Sequence, residues 1–159
     1  MSRINKIIYL IISFVFLSVC DLYLSNHILE NVRFNFAPNP IIDLIYVQNT
    51  GAAFSILENS QIFLIVFSII AMLTLLIYIY RNIEKFSTFA CLWFAMLVSG
   101  IFCNLYERIC FGYVRDFFKF NFIEFPVFNI SDIFINISVL AIIVIILKNK
   151  YLKNNETNG

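Results

Sequence analysis

Charged residues are scarce in this 159-residue chain, at 13% of the total, about half of the roughly 25% usual in a soluble domain. That scarcity excludes a water-soluble globule, because a domain this small cannot hide 61% hydrophobic residues from water. A net charge of +1 leaves no basic surface for nucleic acid. Histidine occurs once, at His27, and the four cysteines (Cys20, Cys91, Cys103 and Cys110) form no Cys-x-x-Cys pair. No zinc site can be assembled from such a set, and no metal or other cofactor is expected. The apolar neighbours of the cysteines mark them as buried small hydrophobes. No internal repeat or low-complexity tract divides the chain, so residues 1–159 read as one domain.

What the chain has is hydrophobic length. Mean hydropathy is +0.87, and a bilayer-spanning helix needs roughly 17–25 mostly apolar residues. Four segments meet that need: residues 7–24, broken only by Asp21; 62–80 and 86–106, both free of charge; and 127–147, with Asp132 near its start. The expected fold is therefore an all-α polytopic membrane protein with four transmembrane helices. A small β-containing extracytoplasmic segment is expected in the loop 25–60. There Ala37-Pro38-Asn39-Pro40 reads as a turn, and Ile41–Val47 as a short strand ended by Gln48-Asn49-Thr50-Gly51.

Lysine and arginine set the orientation. Arg3 and Lys6, then Arg81 and Lys85, then Lys148, Lys150 and Lys153 mark one side, which the rule makes cytoplasmic. Arg33, Arg108, Arg115 and Lys119 are spread over the longer loops of the other side. Both termini are expected in the cytoplasm. Leu17-Ser18-Val19-Cys20 looks like a lipoprotein cleavage site, but Val19 is bulky for one and three more spans follow, so it is read as helix.

Ionisable groups inside a bilayer are costly, about 2.5–3.5 kcal/mol for an aspartate at a helix centre. Asp21, Asp116 and Asp132 nonetheless all fall near the outer ends of the spans. Asn129, Ser131 and Asp132 form a helix-start signal, which alone would explain Asp132. Asn136, four residues on, faces the same way as Asp132. In the third span Gly100, Asn104 and Arg108 recur at the same spacing. A glycine lets another helix approach closely, and polar stripes on apolar helices face protein or water. Two such stripes nearing the same face define a polar pocket there.

These residues also carry a family resemblance. Asn49-Thr50-Gly51-Ala52-Ala53-Phe54-Ser55 resembles the Asn-x-Gly-Ala-Ala-Phe block of lipoprotein signal peptidases, the signal peptidase II family. Gly100–Phe117 is similar to the next block, with Asn104, Arg108, Gly112, Val114, Asp116 and Phe117 in register. Phe125-Pro126-x-Phe128-Asn129-x-Ser131-Asp132 resembles the last. The resemblance implies that Asp116 and Asp132 are a catalytic aspartate pair. It implies that Asn49, Gly51, Asn104, Arg108 and Asn129 line the substrate site, with Asp21, Glu107, Gly112 and Asn136 in support. The implied reaction is hydrolysis of the peptide bond before the lipid-modified cysteine of a diacylglyceryl prolipoprotein. It would take place among membrane lipids, at the outer side of a bacterial inner membrane, and be inhibited by globomycin.

The chain departs from the family pattern at Ser25 (usually Lys), Cys103 (usually Gly), Glu107 (usually Asp) and Ser131 (usually Ala). None of these is one of the two acids. Arg108 is expected to meet Glu107, a backbone carbonyl or substrate, because a close approach to either acid would prevent the pair from sharing a proton. The competing readings are an impaired relative that only binds lipoproteins, a small proton-coupled transport subunit and a membrane scaffold.

Overall fold

A computed structural model of the chain describes residues 1–31, 40–52 and 56–157. Residues 37–39 of the expected turn, Arg33 and the Ala53-Phe54-Ser55 part of the first family block lie outside the described residues. Four helices form the body: α1 (Arg3–Asn31), α2 (Gln61–Asn82), α3 (Thr88–Phe111) and α4 (Ile130–Thr157). All four are long and apolar enough to cross a membrane. The chain is thus a multi-pass membrane protein, as the hydropathy predicts. The helices run past the apolar runs, because backbone hydrogen bonds continue into the interface where polar side chains are tolerated. The loop expected from residue 25 accordingly begins as helix, since α1 continues to Asn31.

α3 is the central helix. Of its most apolar stretch 56% is buried against protein, compared with 11–17% in the other three. Its sequence explains this: Ala90, Ala95, Ser99, Gly100 and Cys103 are small and buried, which lets neighbouring helices come close. The outward faces of α1, α2 and α4 carry large apolar side chains such as Phe16, Phe67 and Leu140, suited to lipid.

The interior changes character along the bundle. Towards the Lys6 end, Leu10, Ile79, Ile83, Cys91, Phe94, Ala95 and Val98 form an apolar core. Lys6 Nζ there donates to the carbonyls of Ile83, Glu84 and Phe86 at 3.4, 2.9 and 2.6 Å, joining the start of α1 to the α2–α3 link. Towards the other end, the Ser18 and Ser99 hydroxyls lie 3.0 Å apart, Cys103 Sγ is 3.9 Å from the Ser18 carbonyl, and Asp21 accepts from Ser25 and Ser131. Membrane-embedded polar groups need partners within the protein, and here α1, α3 and α4 supply them to one another.

Above this polar end sits a two-stranded antiparallel sheet, β1 (Ile42–Asn49) and β2 (Val114–Phe120). The first strand is where its β-branched and aromatic residues place it, but it runs on through Gln48 and Asn49 rather than stopping before them. The second strand corrects the expectation of a β element confined to the loop before α2, because β1 pairs with the α3–α4 link. Leu44 pairs with Phe118, but Val47 pairs with Asp116, so β1 carries one extra residue across that interval. This bulge shifts the alternation of β1. Ile42, Leu44, Val47 and Asn49 therefore share a face with Phe120, Phe118, Asp116 and Val114.

Candidate active site

The start of α4 fixes one acid. Asn129 is the N-cap: its Oδ1 accepts from the Asp132 backbone N–H at 2.9 Å, while Asp132 Oδ2 accepts from the Asn129 backbone N–H at 3.2 Å. This reciprocal pair is a capping box with aspartate as its acid. The other oxygen, Asp132 Oδ1, accepts from Asn104 Nδ2 at 2.9 Å. Gly100, one turn before Asn104, sets the distance between the two helices. A Cβ there would lie 2.6 Å from the Ser131 carbonyl oxygen and 2.8 Å from Ile135 Cγ1.

The sheet fixes the other acid. Asp116 is 1% exposed. The bulge places Asn49 on its face, and Asn49 Nδ2 donates to Asp116 Oδ2 at 2.9 Å. Asn49 Oδ1 is itself held by the Gly51 backbone N–H at 2.9 Å. Asn129 Nδ2 donates to Asp116 Oδ1 at 2.8 Å and lies 3.1 Å from Asn104 Oδ1. Each of the four carboxyl oxygens thus accepts one N–H, and Asn129 serves both acids. Burial, and then the nearby Asp132 charge, push the Asp116 carboxyl from 3.8 up to about 7, against the opposing pull of Asn49 and Asn129. Near neutral pH this acid can therefore both hold and release a proton.

Both acids open on a cavity of about 580 Å³ lined in part by Asn49, Asn104, Arg108, Phe128 and Asn136. A hollow of about 740 Å³ beneath residues 119–126 holds neither acid. Arg108 Nη2 donates to the Gly51 carbonyl at 2.9 Å and Nη1 to the Asn104 carbonyl at 3.4 Å. Of the three partners expected for Arg108, it is the backbone carbonyl that is found. Among the described residues its buried Nε has no partner. Asn136 lines the cavity but donates to the Asp132 carbonyl, at 2.8 Å.

The supporting residues act at one remove. Asp21 is buried beneath the site and bonds to Ser131, the residue before Asp132. Ser25, one of the departures, donates to Asp21 at 3.3 Å. Gly112 stays outside the cavity. It ends α3 in the left-handed conformation (φ 80°), which turns the chain into β2. Glu107 pairs with Arg115, through Arg115 Nη2 at 2.6 Å. The sequence reading counted Arg115 only as an outer-face charge. The available signal was its place between Val114 and Asp116 in a period-2 strand pattern, which points it away from the acid.

The family model described as signal peptidase (SPase) II matches residues 11–148. The chain belongs to the signal peptidase II family. All the residues discussed above, from Asp21 to Asn136, fall inside that match. Among relatives named lipoprotein signal peptidase, one from Streptococcus thermophilus is 32% identical over 82% of this chain and 86% of its own length. One from Caldicellulosiruptor bescii is 45% identical over 68% and 69%, and one from Streptococcus agalactiae 31% over 98% and 97%. The fold is similar to a solved bacterial membrane enzyme determined by the in meso method at 2.3 Å, with a TM-score of 0.76 at 25% identity over 89% of this chain and 88% of that one. A second such enzyme, at 1.9 Å, gives a TM-score of 0.74 at 28% identity over 87% and 92%. Signal peptidase II membership makes the chain a peptidase of the bacterial membrane, built for lipoprotein signal peptides.

Proposed function

We propose that this signal peptidase II is an aspartic endopeptidase. It cleaves diacylglyceryl prolipoproteins before the lipid-modified cysteine, using Asp116 and Asp132 at the outer face of the bacterial inner membrane, with both termini in the cytoplasm. The observation that carries this reading is the pair of acids on one cavity, each oxygen held by a single N–H. An oxygen so held keeps a lone pair free for water or substrate.

Amide hydrolysis needs an activated water and a proton for the leaving amine, and two carboxyls sharing one proton supply both. The ionised acid takes a proton from water as the water attacks the carbonyl carbon. The protonated acid hydrogen-bonds the carbonyl oxygen. A proton then passes to the leaving nitrogen as the tetrahedral intermediate collapses. The two acids titrate as a unit. Asn49, Asn104 and Asn129 hold the carboxyls in place, so little reorganisation accompanies the charge movement. Arg108 joins α3 to the Gly51 turn and lines the cavity beside both acids. The apolar outer surfaces of the helices suit a bilayer, from which a lipid-modified chain would enter the cavity.

The test is cleavage of a purified diacylated prolipoprotein in detergent by the parent, Asp116→Asn and Asp132→Asn. The parent should cleave, and both variants should lose at least about 10³-fold, the scale for removing catalytic groups. Activity depends on one carboxyl keeping its proton. For the parent, kcat/KM should therefore fall as pH rises through about 7, where the pair loses that proton. Activity persisting in either variant rules out the aspartic mechanism. A folded parent that binds substrate without cutting it is an impaired relative.

A further inference from the structure

Arg115 makes more contacts than a surface charge requires. Its backbone N–H donates to Glu107 Oε2 at 2.7 Å, while Nε and Nη2 donate to Oε1 at 2.9 and 2.6 Å. Nη1 reaches Asn26 Oδ1 on α1 at 2.8 Å. The guanidinium lies over the Phe111 ring, 4.7 Å from its centre. Little of either charged side chain is exposed, 14% for Arg115 and 7% for Glu107. One residue therefore ties the end of α3, the side of α1 and the start of β2 together, directly before Asp116.

We infer that Arg115 is a positioning residue for the proposed reaction: clasped by Glu107 and Asn26, it fixes the backbone that presents Asp116 to the cavity and neutralises the carboxylate behind it. The inference rests on the aspartic reading above. The geometric part follows from alternation along β2. Arg115 points away from the cavity and Asp116 into it, so holding the Arg115 backbone and side chain sets the direction in which the next side chain emerges. The electrostatic part follows from the charges around Asp116. These are Asp132 from α4, Glu107 and Arg108 from α3, and Arg115 from β2 itself. Glu107 acts to raise the Asp116 carboxyl, and Arg115 is the cation bonded to Glu107. The clasp also accounts for the departure at residue 107. A bidentate hold on a guanidinium and a backbone N–H needs the carboxylate to project from α3, which glutamate does by one methylene more than aspartate.

The two parts separate by substitution. Arg115→Lys keeps the charge but loses the fork. It should lower kcat about 3- to 10-fold, leave KM within about twofold and leave the alkaline limb of the pH profile at its parental position. Arg115→Ala should lower kcat at least as far and also move the alkaline limb upward by about half a unit or more, because Glu107 is left uncompensated. Glu107→Gln/Arg115→Gln removes both charges. It should show the lower kcat with the limb at or below its parental position, and it carries the geometric test together with Arg115→Lys if Arg115→Ala does not fold. All are measured as the full chain in detergent, beside Asp116→Asn. Parental kcat in Arg115→Lys and the double variant, with Asp116→Asn inactive, overturns the inference alone. Activity in Asp116→Asn overturns the dyad on which it rests.

Discussion

Asn129 concentrates two duties in one side chain. Its oxygen caps α4 and its nitrogen holds Asp116. The duties differ in chemistry and can be divided. A serine hydroxyl caps a helix about as well as asparagine, but it is too short to reach Asp116 as well. Asn129→Ser should keep the thermal stability of the parent and lose about tenfold or more in kcat. Asn129→Ala should lose that activity and also about 1 kcal/mol of stability from the missing cap. Unfolding in detergent beside the cleavage assay reads both. The sequence signalled the cap clearly, because Asn129, Ser131 and Asp132 precede an apolar run. It did not show that the cap is also the bridge. That bond joins α4 to a strand whose register depends on a bulge, and no local pattern encodes it.

At the scale of elements, the spans were legible and the sheet only half so. Apolar runs identify membrane helices because lipid admits few alternatives; α2 begins and ends close to its predicted limits, while α3 runs on to Phe111. β1 was legible from its β-branched and aromatic run. β2 was not, because Arg115, Asp116 and Lys119 break its apolar character; Arg115 on one face binds Glu107 and Asp116 on the other lines the cavity. The bulge is the element on which the site turns. Deleting Gln48, between Val47 and Asn49, should leave the bulge in place and turn the Asn49 side chain to the opposite face. The variant should remain folded and membrane-inserted and cleave at least about 10²-fold more slowly. Replacing Gln48 by alanine keeps the residue count and should retain most of the activity.

For the whole molecule, the bundle has two unlike ends. Lys6, Arg3 and Glu84 gather at one, and the sheet and both acids lie at the other. Basic residues at the first end predict that it faces the cytoplasm. A fluorescent-protein fusion at the C-terminus should therefore be bright, and a periplasm-dependent phosphatase fused there should be inactive; the reverse result would put the acids on the cytoplasmic side. The sequence carries an expected orientation because charge asymmetry is local to helix ends. The way the polar end closes was less legible. Ser18, Ser99 and Cys103 read individually as ordinary helix residues, and only packing of α1 against α3 gives them partners.

The capping box has a consequence for biosynthesis. Asp132 takes its position only when the first turn of α4 has formed, because its own backbone N–H and Asn129 hold it there. Asp116 gains one of its two side-chain donors from the same residue. Asp116 in β2 is synthesised before Asn129 and Asp132, which stand at the start of α4. Under the proposed aspartic mechanism, the chain is inert until the first turn of α4 has folded. Folding of that one turn is then the step that arms the enzyme.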